Sequence, residues 1–193
     1  MRKLTTRNPL RQKQKITLAF NKIEPEVLAC QLTYLEWKNL RRIQFADYHT
    51  YAIKGSLHDN PPLEKSIQLF NGLSQWIQCM VLSKATPKQR ADIIHKFIGV
   101  ARHLRHLQNF NSLMAVIGGI CHSALARLTK TNLHLSIDDQ KTLNDFMELL
   151  SSNCNYGLYR KTIAEIHGFY IPIIGIHLKD IISLHTAHLD KLE

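Results

Sequence analysis

Apolar residues that recur at steps of three and four, in one segment after another and with no strand-like alternation of useful length, restrict this chain to helices. The clearest case follows Thr86. There Ile93, Ile94, Phe97, Ile98, Val100, Ala101, Leu104 and Leu107 form a broad apolar stripe. Thr86 stands where an N-cap belongs, and Pro87 takes the first helical position, where its missing N–H is harmless.

The same spacing predicts a helix from Glu26, on Val27, Leu28, Leu32, Leu35, Trp37 and Leu40, with Pro25 at its start. A second helix is expected from about Phe45 to Ile53, ending at Gly55. Asn60, Pro61 and Pro62 then open a long one through Ile67, Phe70, Leu73, Trp76, Ile77, Met80 and Val81. Asn109 or Asn111 can cap a segment in which Leu113, Met114, Val116, Ile117, Ile120 and Leu125 leave almost no polar face before Arg127, so that helix should be central. Gly118–Gly119 inside it would permit close helix packing. Ser136 caps a further helix (Leu143, Phe146, Met147, Leu149, Leu150), Asn155 starts another through Tyr159 and Ile163, and Pro172 precedes a last one from about Ile173 to Leu184. With no heptad and no solenoid period, the expected fold is all-α, an irregular orthogonal multi-helix bundle.

The 193 residues suit one domain, and 45% hydrophobic with 21% charged residues is the balance of a chain that buries a core. The formal charge of +10 is concentrated at the start, because Arg2, Lys3, Arg7, Arg11, Lys13 and Lys15 all precede the first acidic residue, Glu24. Residues 1–15 are therefore read as a basic, solvated leader and residues 16–193 as the domain, in preference to an arm for nucleic acid. No apolar stretch is long enough for a membrane span, and no signal-peptide core follows the N-terminus. Cys30, Cys79, Cys121 and Cys154 lie in separate segments, which fits free thiols in the cytosol.

The search for chemistry returns little. His103 with His106, and His185 with His188, each sit one turn apart, but no Glu, Asp or Cys stands beside them at ligand spacing. Cys121 and His122 are adjacent, and adjacent helical residues do not face each other. Phosphate loops, paired carboxylates and nucleophile elbows are absent, so no cofactor and no metal are expected.

Three stretches carry a resemblance. Glu24-Pro25-Glu26 leading through Gln31-Leu32-Thr33-Tyr34-Leu35-Glu36 resembles the opening helix of Ras-type guanine-nucleotide exchange factor domains. Asn109-Phe110-Asn111-Ser112-Leu113-Met114-Ala115-Val116, followed by Arg127-Leu128, resembles their central helix. Ile171-Pro172-Ile173-Ile174-Gly175-Ile176-His177-Leu178-Lys179-Asp180-Ile181 resembles the lead into their exchange hairpin. The linking words FNGLSQW, VLSKATP and IGGICHS are similar to the Ras guanyl-releasing subfamily.

The resemblance implies an all-helical domain that binds a Ras-family small GTPase, Ras or Rap, opens its nucleotide pocket and holds the emptied state until GTP enters. It implies that Ile67, Met114, Tyr156 and Ile173 form the pocket for an aromatic side chain of the GTPase switch 2 segment, with Ile173 in place of the phenylalanine of some relatives. Ile182 takes the place of the aliphatic wedge residue pushed toward the magnesium site, and Thr186 replaces an acidic residue of some relatives. Further helices follow the hairpin in the family, so the domain is expected to be incomplete at its C-terminal end. A non-exchanging GTPase-binding module is the alternative, and a nucleic-acid binder driven by the basic leader a third. The expected location is cytoplasmic, with membranes reached only indirectly, through the partner or other regions.

Overall fold

The computed structural model describes residues 20–189. Ten helices lie wholly within them, after a helical stretch at residues 20–22: α1 (Pro25–Leu40), α2 (Phe45–Lys54), α3 (Pro61–Leu82), α4 (Pro87–His106), α5 (Phe110–Ile120), α6 (Ser123–Ala126), α7 (Thr129–Asn132), α8 (Ile137–Leu149), α9 (Gly157–Ala164) and α10 (Ile174–Leu189). No strand occurs among the described residues, only an isolated parallel bridge between Asn109 and Ile171. The fold is all-α, and the basic leader, residues 1–15, lies outside the described residues.

Local chemistry sets most of the helix starts. Thr86 Oγ1 accepts from the Gln89 N–H while the Gln89 side chain reaches back to the Thr86 N–H, a closed capping box ahead of Pro87. Ser136 Oγ accepts from the Asp139 N–H, and Asn109, not Asn111, caps α5 by accepting from the Ser112 N–H. Gly55 closes α2 in the left-handed region at φ 63°, where its N–H reaches the Tyr51 carbonyl.

Three expectations need correction, and one short helix was unforeseen. Helix α1 buries Ala29, Leu32 and Glu36, whereas Val27, Leu35 and Trp37 of the expected stripe are exposed. The central segment is not one helix to Arg127: it breaks at Cys121–His122, where His122 Nδ1 accepts from the Ala124 N–H and starts α6. The short α7 has no periodic signal, since one turn is too brief to show one. Helix α10 runs to Leu189 and not to Leu184, because Ala187 and its neighbours include no helix breaker.

The core centres on α4, whose Phe97, Ile98, Val100, Ala101 and Leu104 are fully buried, each large side chain contributing about 1.5–3 kcal/mol. Helices α3 and α5 pack most closely on one another. Gly119 makes that approach possible, since a Cβ there would sit 3.0 Å from the Ser74 carbonyl oxygen and 3.1 Å from Ile77 Cβ. Its neighbour Gly118 meets nothing within 4 Å, so only one of the two glycines serves the packing. A smaller cluster of Leu63, Ile174 and Leu178, flanked by Tyr48, Tyr51 and Ile67, seats α10. Helix α10 packs mainly against α2.

Candidate functional site

The residues just before α10 have no helical partners, yet the buried amides of Ile171, Ile173 and Ile174 are each met. The Ile171 N–H donates to the Gln108 carbonyl at 2.9 Å, and the Phe110 N–H donates to the Ile171 carbonyl at 3.0 Å. The Ile173 N–H donates to the Tyr159 hydroxyl at 2.9 Å, and the Ile174 N–H to Asn111 Oδ1 at 3.2 Å. Pro172 between them has no N–H to satisfy. The start of α10 is thus tied to α5 and α9 before its first turn begins.

Behind that anchor lies a buried polar relay. Asn111 Nδ2 donates to Glu36 Oε1 at 3.0 Å, and the Ser112 hydroxyl lies 3.4 Å from the same oxygen. Asn109 Nδ2 donates to Thr33 Oγ1 at 3.1 Å. Glu36 is 1% exposed and its Oε2 has no partner, so burial pushes its carboxyl above the usual range against the lowering effect of Asn111 and Ser112. The three sequence words that carried the resemblance are therefore one hydrogen-bonded assembly: Thr33 and Glu36 from the first, Asn109, Asn111 and Ser112 from the second, Ile174 from the third.

Tyr159 makes the corresponding link on the other flank. Its hydroxyl accepts the Ile173 N–H, which leaves its own hydrogen for His177 Nε2, 3.0 Å away. Burial raises the phenol to about 12 and lowers the imidazole pKa, so the neutral ring that can accept is the favoured form. Arg160 adds a two-pronged ion pair to Asp180, at 2.8 and 2.9 Å, between α9 and α10.

Ile67, Met114, Tyr156 and Ile173, from four separate segments, come together around one cavity of about 260 Å³ at the base of α10. Ile173 is buried; the other three are half-buried and still accessible. Tyr156 reaches the cavity from a left-handed turn in which Cys154, Asn155 and Tyr156 have φ of 51°, 52° and 63°. Three consecutive non-glycine residues there cost about 1–2 kcal/mol each, least for asparagine. Ile182 lies on the same helix, eight residues beyond Ile174 or about 12 Å along the axis, and is half-buried. Thr186 follows one turn later; it is exposed and donates to the Ile182 carbonyl at 3.1 Å.

Sequence reasoning missed other lining residues, notably Ser66, Asn71 and Asn111. A usable signal existed for Ser66: it stands at helical spacing within the stripe Leu63, Phe70, Leu73, Ile77, so it faces inward with them. A larger cavity of about 490 Å³ lies under α8, against Ile94, Cys121 and Leu143, and holds none of the residues implied by the resemblance. Burial raises the Cys121 thiol pKa there, and His122 is engaged in capping, so the pair is not an activated nucleophile.

Residues 27–193 match the RasGEF domain family. Over all of its length the chain is 53% identical to Ras guanyl-releasing protein 3 of Homo sapiens, covering 28% of that protein. It is 54% identical to RAS guanyl-releasing protein 1 of Xenopus laevis, with all of this chain and 24% of that protein aligned. With RAS guanyl-releasing protein 4 of Mus musculus it shares 49% identity over 95% of the chain and 27% of the relative. The chain spans about a quarter of the length of these relatives.

Proposed function

The chain belongs to the RasGEF domain family, and on that premise we propose that it is a guanine-nucleotide exchange factor for Ras-family small GTPases, Ras or Rap. The observation that carries this is the convergence of Ile67, Met114, Tyr156 and Ile173 on one accessible apolar cavity at the foot of the helix bearing Ile182. An aromatic side chain of the partner's switch 2 segment fills the cavity. Ile182 then lies about 12 Å along α10 and displaces groups beside the nucleotide. An aliphatic side chain offers no oxygen to magnesium, so it disfavours the metal that holds the phosphates. Thr186 adds no charge.

Exchange of this kind is linkage, with no bond made or broken by the factor. A protein that binds the nucleotide-free GTPase better than the loaded one weakens nucleotide binding by the same factor. The anchoring of α10 by Asn111, Tyr159 and Arg160 suits this task, because a wedge must hold its direction under load. The site of action is cytoplasmic, at membranes where the partner is held; no helix among the described residues is long and apolar enough to cross one. Release of a fluorescent GDP analogue from Ras and Rap proteins tests the proposal. Tight binding without faster release would select a non-exchanging module instead.

A further inference from the structure

Helix α1 carries apolar residues on two faces and covers only one of them. Ala29 and Leu32 pack into the core, and Glu36 is bonded to Asn111. On the outer side Val27, Cys30, Tyr34, Trp37 and the C-cap Arg41 follow one another at steps of three and four, so they share one stripe. All five are exposed, Val27 by 51% and Tyr34 by 54%. With Leu35 beside them, Val27, Tyr34 and Trp37 leave four large apolar side chains exposed on α1, and no other helix among the described residues leaves more than two. Single apolar residues on a surface are ordinary, whereas a contiguous row marks a face that meets something else.

The chemistry of the stripe points to what it meets. The Tyr34 and Trp37 rings lie 5.9 Å apart, and the Arg41 guanidinium sits over the Trp37 ring at 5.0 Å. Lys38 flanks them and Arg42 follows; all three cations are exposed, with no salt bridge among the described residues. The acidic Glu24 and Glu26 stand at the opposite, N-terminal end. Aromatic rings beside cations on an apolar strip are the composition of helices that lie in the headgroup layer of an anionic bilayer. The six basic residues that precede Glu24 in sequence add charge of the same sign. A second copy of the chain suits the stripe less well: a helix of 16 residues is about 24 Å long and about 10 Å wide, well short of the roughly 800 Å² per partner of a stable interface. Nucleic acid would use the cations but give Val27 no apolar surface to meet.

We propose that the outer face of α1 is a membrane-contact surface for anionic phospholipid, with Tyr34 and Trp37 at headgroup level, Val27 toward the acyl chains, and Lys38 and Arg41 against the phosphates. The contact is peripheral, since no helix among the described residues is long and apolar enough to cross a bilayer. Glu36 and the stripe lie on different sides of α1, and Glu36 is the side turned toward Asn111 and α5, so the stripe stays open when a partner occupies the other side of the molecule. The chain thereby gains a membrane contact of its own, in addition to the indirect one expected from the sequence.

Co-sedimentation of the purified chain with vesicles of phosphatidylcholine alone, or of phosphatidylcholine mixed with phosphatidylserine, tests this. Binding to the mixed vesicles is expected to be at least about tenfold tighter and to weaken as salt rises. Lys38→Gln and Arg41→Gln should each weaken it about fivefold, the worth of one cation near the surface, and Trp37→Ala about tenfold. Unfolding temperatures should stay close to wild type, because all three side chains are exposed. Deleting residues 1–15 should weaken binding further and leave its dependence on Trp37. No binding, equal binding of the two vesicles, or binding by Trp37→Ala as tight as wild type overturns the proposal, the last because charge alone would then hold the chain. Binding of a single-stranded oligonucleotide that is tighter than vesicle binding and is lost in Trp37→Ala overturns it in favour of nucleic acid. None of these outcomes depends on nucleotide exchange, so the proposed function stands or falls separately.

Discussion

Asn111 Nδ2 donates to Glu36 Oε1 at 3.0 Å, joining α5 to α1 across 75 residues of sequence, and the opposite atom of the same amide accepts the Ile174 N–H. One buried side chain therefore connects the first helix, the central helix and the start of the helix that bears Ile182.

Asn111→Ala should accordingly lower stability by about 2–4 kcal/mol, because it strands the Ile174 amide and removes a partner from a buried carboxyl. Denaturant unfolding followed by circular dichroism measures this. A cost under about 0.5 kcal/mol, typical of surface positions, would mean the relay is incidental.

Glu36 should make stability fall as pH rises. Its folded-state value is raised above the ordinary 4.5 by burial, so between the two values the folded chain holds more protons than the unfolded one. The contribution is fully present below 4.5 and is lost as pH climbs through the raised folded value. Glu36→Gln keeps an acceptor for Asn111 and cannot ionise. The unfolding temperature of wild type relative to Glu36→Gln should therefore drop as pH rises above 4.5, and a constant difference would contradict the assignment.

Adjacent glycines in α5 should respond with opposite signs. Gly118→Ala meets open space and should gain about 0.5–1 kcal/mol from helix propensity. Gly119→Ala forces a Cβ against the Ser74 carbonyl and Ile77, at a cost of about 1–3 kcal/mol. Thermal unfolding of the two variants side by side decides it; the same sign for both would mean that α3 and α5 are further apart than described.

Much of the scaffold was legible because its determinants are local. The caps at Thr86 and Ser136, the proline starts and Gly55 all act within a turn of the residue that carries them. The buried face of α1 was not, since Glu36 is tolerated inside only because Asn111 and Ser112 come to it from a distant segment, while Val27, Leu35 and Trp37 look like core and stand exposed. The break at Cys121–His122 depends on a histidine ring nitrogen acting as a cap, a role that residue type rarely announces.

The cavity followed a different logic. By periodicity alone Ile67, Met114, Tyr156 and Ile173 each read as packing residues; only the family resemblance singled them out, and their convergence depends on contacts between helices far apart in sequence. Ser66 escaped notice because a serine inside a helical segment reads as surface unless its spacing is compared with Leu63, Phe70 and Leu73.

The most direct test of the account is release of a fluorescent GDP analogue from a Ras-family GTPase, measured with wild-type chain and with Ile182→Asp. The account predicts that wild type accelerates release in proportion to its concentration. Ile182→Asp should lose at least about tenfold of that acceleration, about 1.4 kcal/mol, while its unfolding temperature changes by only a few degrees. No acceleration with any Ras or Rap protein, or a loss of exchange by Ile182→Asp matched by an equal loss of folding, would contradict it.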